Sequence, residues 1–507
     1  MRMLSKAAML AAVLVLGAAA PAAFAADDPP KADAAKDKDK DKIDLPAFPA
    51  DATVKQVTHV AGKTLNYTAT VGSLPVRDEK GKKIAEVVFT AYILDGPKNP
   101  DRPVTFAFNG GPGAASVYLN LGAIGPKRVQ FGAQGDSPSD PAKLIDNPGT
   151  WLDFTDLVFI DPVGTGFSRS LVDKDDTAKR FYSVQGDVAY LSRIVYDWLL
   201  RNGRSDSPKY LVGESYGGFR VPAIARQLQR QLGVAPRGLI LVSPYLDGHI
   251  LSGAEISPLP YIVTLPSEAA AYAERQGHSP TPASQAEVEA YARGEFAVDL
   301  LKGASDPAAV SRIVERVTRY TGLDRTLVQK MGGRVDVRTV LRELYRTQGR
   351  IAWSYDTNVT TWDPSPWAAQ GPDGDPNLAA TVAPTTTAMV GFVTRTVGWK
   401  FEGPFNTLSS AVNEGWEKNW VSTVESVQDL RMTLAIDPKL RVFVAHGYGD
   451  LAAPYFASRL ILDQLPRMEG SSRVSLSIYP GGHMFYSRPA SQAQFRRDVG
   501  IFYGGSG

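Results

Sequence analysis

The pentapeptide Gly213-Glu214-Ser215-Tyr216-Gly217 has the form G-x-S-x-G. It follows a β-prone run and precedes a helical one. In that setting the glycines allow a tight strand-to-helix turn that pushes the serine hydroxyl into the open. A serine hydroxyl is a poor nucleophile until a base takes its proton. Only five histidines are present: His59, His249, His278, His446 and His483. His483, in "YPGGHMFY", follows the last β-prone run in a flexible loop, which makes it the candidate base. A base needs an orienting acid, and Asp450 in "HGYGDLAAP" follows the preceding β-prone run. His446 is the rival base. It ends its own strand in the same loop as the acid, which favours a structural or supporting role. The other three histidines lie before the sheet or in and beside the chain's middle section. No pair has H-x-x-x-H spacing and the chain has no cysteine, so neither sequence pattern points to a metal site.

Attack by serine on a carbonyl makes an oxyanion that needs preorganised N–H donors. The stretch "FNGGPGAAS" leaves a β-prone run as a glycine loop that can bring its backbone close. The candidate donors are the N–H groups of Gly111 and of Tyr216, the residue after the nucleophile. A phosphate loop is the competing reading, but the Lys-Ser/Thr ending is missing.

Positioning these groups requires a sheet. Alternation begins at "TLNYTATVG" and resumes at "IAEVVFTAYIL" after a polar turn. "VTFAF" (104–108), "DLVFI", "KYLVG", "GLILVS" (238–243), "RVFVAHG" and "RVSLSIY" read as buried strands. The helical run 183–201 carries Val188, Leu191, Ile194, Val195, Trp198 and Leu199 at helical spacing. Another helical segment runs to Leu232, and the chain ends on a helix around "QAQFRRDVGIF". Strands alternating with helices imply an α/β fold, with a mostly parallel central sheet covered on both faces. The order serine, acid, histidine is that of α/β-hydrolases. From 249 to 440 the pattern breaks into helix formers and loops, read as a large, mainly helical insertion (a cap) over the active edge. The expected core is then 46–248 and 441–507.

The chain of 507 residues is 44% hydrophobic and 21% charged, with a formal charge of +2. That balance gives no reason to expect nucleic acid as a partner. "MRMLSK", the apolar "AAMLAAVLVLGAAA" and Ala23-Phe24-Ala25 have the parts of a secretory signal peptide, residues 1–25. The apolar run is shorter than the ~20 residues that span a bilayer, so no membrane insertion is expected after its removal. Residues 26–45, with "DKDKDKD", read as a solvated charged linker. Export without cysteine means a core that holds without disulfides, which a chain this long allows.

Taken together, "NGGPG", "DPVGTGFS", "GESYGGFRVPA", "GYGD" and "GGHM" resemble the serine carboxypeptidase family in type and order, from Asn109 to the C-terminal region. The resemblance implies hydrolysis of the last peptide bond of a peptide with a free C-terminus, without a cofactor. It also implies that Asn109 and Glu214 hydrogen-bond the substrate's terminal carboxylate, which gives the anion-prone Glu214 a use. A protonated Glu214 donates to a carboxylate, whereas the ionised form repels it. The sequence departs from the family at three points. Ala107 stands where many members have Trp, Ala123 where an acidic partner of Glu214 is common, and the disulfides are missing. The same catalytic groups also suit an esterase or acyltransferase, since fold and triad do not fix the acyl donor. A catalytically idle binding protein is the third reading. Its expected mark, a broken triad, is not visible. The sequence makes no choice between lining and core roles for Trp353, Tyr355 and Trp362, beyond the core default for an aromatic residue.

Overall fold

Side chains alternate across a strand, so one strand can feed two cores. Phe106 and Phe108 pack on one face of the sheet and Ala107 on the other; Leu239 and Leu241 do the same against Ile240. In the computed structural model the described residues are 46–130, 139, 141–252, 256–368, 374–418, 421, 424–466, 468 and 473–504. The expected signal peptide and the charged linker, residues 1–45, lie outside them.

The main sheet contains β1 (Ala52–Val60), β2 (Lys63–Arg77), β3 (Lys83–Leu94), β4 (Val104–Phe108), β5 (Asp156–Ile160), β6 (Lys209–Glu214), β7 (Gly238–Val242), β8 (Arg441–Gly447) and β9 (Val474–Tyr479). Their order is β1-β2-β3-β5-β4-β6-β7-β8-β9, with the short Arg169–Ser170 strand on β3. From β5 to β9 all neighbours are parallel; β1, β2 and β3 form an antiparallel edge. This is the α/β-hydrolase arrangement expected from the sequence.

On one face, α1 (Val184–Arg201) and α2 (Tyr216–Gln231) bury Leu191, Trp198, Val221 and Ile224 against Phe106, Leu211 and Leu241. Ser183 starts α1 by accepting a hydrogen bond from the Gly186 N–H at 3.1 Å, which satisfies one of the helix's free donors. On the other face, Tyr67, Tyr92, Phe159 and Phe443 pack with Trp151, Phe485 and Phe495. Two stretches of the 249–440 section join these sheet cores: Ala388–Trp399 on the second face, and Leu430 with Leu434 on the first. The helices between 259 and 343 instead build a core of their own around Leu265, Phe296 and Val317. Tyr448, Leu451, Tyr455 and Phe456, just beyond β8, are part of it.

The C-terminal ends of β4, β6, β7, β8 and β9 lie side by side, where open α/β sheets place their sites. A buried ion pair secures this edge. Arg220 of α2 donates from Nε to Asp187 of α1 at 2.6 Å and from Nη1 to the Asn109 carbonyl at 2.5 Å. Burial alone would lower the guanidinium's pKa, but Asp187 outweighs it and holds Arg220 above its ordinary value. Asp187→Ala would strand a buried cation. It should cost about 3–5 kcal/mol of unfolding free energy, measurable as an earlier urea midpoint than that of wild type.

Candidate active site

Ser215 sits between β6 and α2 with φ 61° and ψ −123°, in the positive-φ region that side chains other than glycine rarely occupy. Its neighbours fix it there. The Ser215 N–H donates to the Val242 carbonyl at 3.0 Å, and its carbonyl accepts from Gly218 at 2.8 Å and Tyr245 at 3.1 Å. Two glycines let the adjoining strands approach. A Cβ on Gly217 would lie 2.3 Å from the Phe108 carbonyl, and one on Gly110 would lie 2.6 Å from the Tyr216 nitrogen. The glycine loop therefore rests directly on the serine turn. Tyr216 opens α2, so its backbone N–H lies at the positive end of that helix. Gly111 lies in the loop above.

The glycine loop is gripped from outside as well. Ser116 donates its N–H to Asp161 at 2.8 Å, and its hydroxyl to the Ile160 carbonyl. Burial pushes the Asp161 carboxyl up to about 7. From the 400s, Ser409 donates to the Gly113 carbonyl at 2.8 Å and Asn413 to that of Pro112 at 3.1 Å.

His483 and Asp450 meet. His483 Nδ1 and Asp450 Oδ2 are 2.7 Å apart, and both residues are buried. The other Asp450 oxygen accepts from Ala452 at 2.9 Å and Ala453 at 2.8 Å, so its carboxylate is fixed before it orients the ring. The His483 backbone is held by the Ser243 hydroxyl, donating to its carbonyl at 2.8 Å, and by the Tyr355 carbonyl, accepting at 2.5 Å. Burial alone would lower the imidazole's pKa. Asp450, with Glu214 behind it, outweighs burial and holds His483 above its ordinary value. Nε2 has no hydrogen-bond partner among the described residues, and His483 lines, with Ser215, Asn109, Gly111 and Glu214, a cleft of about 40 Å³. No hydrogen bond joins Ser215 Oγ to Nε2 among the described residues. His446, the rival base, is buried with Nε2 2.8 Å from the Ser458 hydroxyl, and burial pushes it down to about 3. It is neutral across the ordinary pH range.

Glu214 and Asn109 are bonded to each other: Asn109 Nδ2 donates to Glu214 Oε2 at 2.7 Å, while Asn109 Oδ1 accepts from the Leu119 N–H at 2.9 Å. Sequence reasoning missed the second partner. The Tyr486 hydroxyl lies 2.8 Å from Oε1 and 2.9 Å from Oε2 of Glu214. Ala123 offers no side-chain partner, and its carbonyl instead accepts from Asn147 at 3.0 Å. A phenol thus serves the carboxyl in a chain whose sequence, with Ala123, offers no acidic partner for it. Tyr486 is three residues beyond His483 in "GGHMFY", and that proximity was the one available signal. Burial pushes Glu214 above its ordinary value, against the pull of His483, Tyr486 and Asn109.

Tyr355 was missed in a different way. Aromatic residues of the 249–440 section are core by default, yet its ring centroid is 4.4 Å from that of His483 and it lines the cleft. Trp353 stacks on it at 5.2 Å. Arg488 ties the neighbouring Asp356, at 2.6 Å, and Glu274 to the loop that carries His483. Trp362 is largely exposed. No cluster of side chains suited to a metal ion occurs among the described residues.

The sheet and the serine turn define an α/β-hydrolase. Residues 64–254 match the family described as serine carboxypeptidase. It is 27% identical over 193 residues to serine carboxypeptidase-like 12 of Arabidopsis thaliana, covering 36% of this chain and 42% of that protein. It is 32% identical over 152 residues to the pheromone-processing carboxypeptidase KEX1 of Yarrowia lipolytica, covering 30% of this chain and 23% of that one. The chain thus spans less than half the length of these curated relatives. The crystal structure of the prohormone-processing carboxypeptidase KEX1(delta)p from Saccharomyces cerevisiae shares the fold, with TM-score 0.55, 17% identity, and coverage of 86% of this chain and 91% of that one.

Tyr486→Phe removes a donor from a buried carboxyl. At pH 7 this should cost about 1–3 kcal/mol of unfolding free energy. The unfolded Glu214 is the same in both proteins, so the loss follows the folded carboxyl and should shrink as pH falls through its folded pKa, which burial raises from 4.5. Urea unfolding at pH 7 and pH 4 checks both parts.

Proposed function

We propose that this chain is a serine carboxypeptidase that cleaves the C-terminal peptide bond through an acyl-enzyme. The observation that carries this reading is the carboxyl of Glu214, held by Asn109 and Tyr486 in the same cleft as Ser215 and the His483–Asp450 pair. Ser215 Oγ attacks the last peptide carbonyl while His483 Nε2 takes its proton. Asp450 keeps Nδ1 protonated and stabilises the imidazolium. The Gly111 and Tyr216 N–H groups receive the oxyanion. His483 then gives the proton to the leaving amine, and water, activated by the same imidazole, releases the acyl group. Asn109 and a protonated Glu214 bind the leaving residue's carboxylate. The reading includes export, on the strength of the N-terminal residue pattern, and no described helix is long and apolar enough to cross a membrane.

The pH dependence follows from two opposed requirements. Glu214 binds a carboxylate when protonated, so recognition is present below its folded pKa, which burial raises from 4.5, and is lost as pH rises through it. His483 must be neutral to act as base, so this requirement is met as pH rises through its own raised pKa. Ionised Glu214 is one cause of that rise, so the two titrations are coupled.

Ser215→Ala should lower kcat by about six orders of magnitude. The deciding assay follows release of the terminal residue from an N-blocked dipeptide and from its C-terminal amide, from about pH 4 to 8. Wild type should favour the free acid. Glu214→Gln, neutral at every pH, should remove the fall in kcat/KM on the alkaline side and move the rise governed by His483 to lower pH. Equal turnover of acid and amide, unchanged in Glu214→Gln, would sink the carboxylate reading while leaving the serine hydrolase. Hydrolysis of esters alone would replace it with an esterase.

A further inference from the structure

A second cavity, of about 410 Å³, opens beside the catalytic cleft. The two share Tyr118 and Met484 as walls. Tyr486 connects them physically, lining the larger cavity while its hydroxyl lies on Glu214. If Glu214 and Asn109 hold the terminal carboxylate, the side chain of the same residue has this cavity next to it. The inference therefore rests on the carboxypeptidase reading.

The cavity's chemistry is one-sided. Among the described residues that line it none is Asp or Glu, and Arg128 is the one cation. Among the described residues no carboxylate pairs with Arg128. Its recorded acceptor is the neutral amide of Gln492, with Nη1 to Oε1 at 3.1 Å. Gln492 is turned that way because its Nε2 donates to Asn147 Oδ1 at 3.1 Å. Burial lowers the guanidinium's pKa with no anion to offset it. Two further lining side chains carry buried N–H groups with no acceptor among the described residues: Asn377, at Nδ2 and nine-tenths buried, and Trp353, at Nε1. A half-buried cation with no carboxylate partner, set among Val117, Leu121 and Val129, suits a carboxylate carried on methylenes.

The geometry points to a specificity site: Arg128 selects peptides whose C-terminal residue bears a side-chain carboxylate, glutamate above all. Arg128 is here a binding residue for the leaving group, separate from the groups that act on the scissile bond.

The test uses the full chain and three N-blocked dipeptides that differ in the last residue: Glu, its neutral isostere Gln, and Leu. At a fixed pH near 6, kcat/KM for Glu should exceed that for Gln and Leu. Arg128→Gln should cut the Glu-to-Gln ratio by roughly 10- to 100-fold, the worth of a charge-assisted hydrogen bond. Arg128→Lys should restore part of it. Using a ratio within one preparation separates lost recognition from partial misfolding. A wild type indifferent to Glu against Gln, or an Arg128→Gln variant that lowers all three alike, overturns the selectivity. In either case Ser215-dependent release leaves the carboxypeptidase reading standing. Release of none of the three by wild type defeats that reading, and this inference with it.

Discussion

The Arg220 guanidinium is the constraint on which the rest of the active edge depends. It starts from the helix that follows Ser215, pairs with Asp187 of the neighbouring helix, and reaches past it to the Asn109 carbonyl. Three parts of the chain far apart in sequence are thereby fixed at one point. A carbonyl at the root of a glycine loop has no ladder partner of its own, and a neutral donor would hold it weakly. A charge-assisted donor is stronger, but a buried cation is tolerable only with its anion beside it. Asp187 thus makes the arrangement possible. The loop's freedom is removed a second time from outside, by Ser409 and Asn413. Asn109 can then be placed against Glu214 without relying on its own rotamer preference.

The second layer is electrostatic. Glu214, His483 and Asp450 are all buried, and their protonation is mutual. A negative Glu214 steadies a positive His483, and a positive His483 favours a negative Glu214. The two states that the proposed reaction needs together, acid Glu214 and basic His483, are therefore the pair that this coupling disfavours. The phenol of Tyr486 changes that balance differently from a second carboxyl. Two acids at close range must share a proton, since both cannot ionise cheaply. A phenol with a far higher pKa stays protonated and can donate to an ionised Glu214, or accept from a protonated one. It satisfies the carboxyl in either state and forces neither.

Much of the frame was legible because it is local. Val104–Phe108 and Asp156–Ile160 are compact apolar runs that became the central strands, and Ser183 caps the helix that its spacing implied. The glycine patterns marked the loops because a close backbone approach excludes a Cβ. What the sequence left hidden depends on pairing across the chain. Tyr486 lies 272 positions from Glu214, and nothing in either local pattern names the other. Arg220 looks like an ordinary exposed helix residue until α1 is packed beside it. The 249–440 section shows the same limit. Its helical composition was plain, but the assignment of Ala388–Trp399 and Leu430 to the sheet cores is set by packing, which composition does not encode.

Tyr355 shows why that section matters to chemistry as well as to packing. Its carbonyl receives the His483 N–H and its ring lies against the imidazole, while Arg488 binds the adjoining Asp356 back to the histidine's loop. Gly482 has no room for a side chain because the Tyr355 carbonyl occupies it. The histidine is thus held between two segments: its own loop beyond β9 and a hairpin region more than a hundred residues earlier. Under the proposed mechanism His483 takes a proton from Ser215 and returns it to a leaving group, which requires its ring to keep one plane throughout. Asp450 holds one edge of that ring and the Tyr355 ring lies against it, so the 249–440 section helps to fix the imidazole.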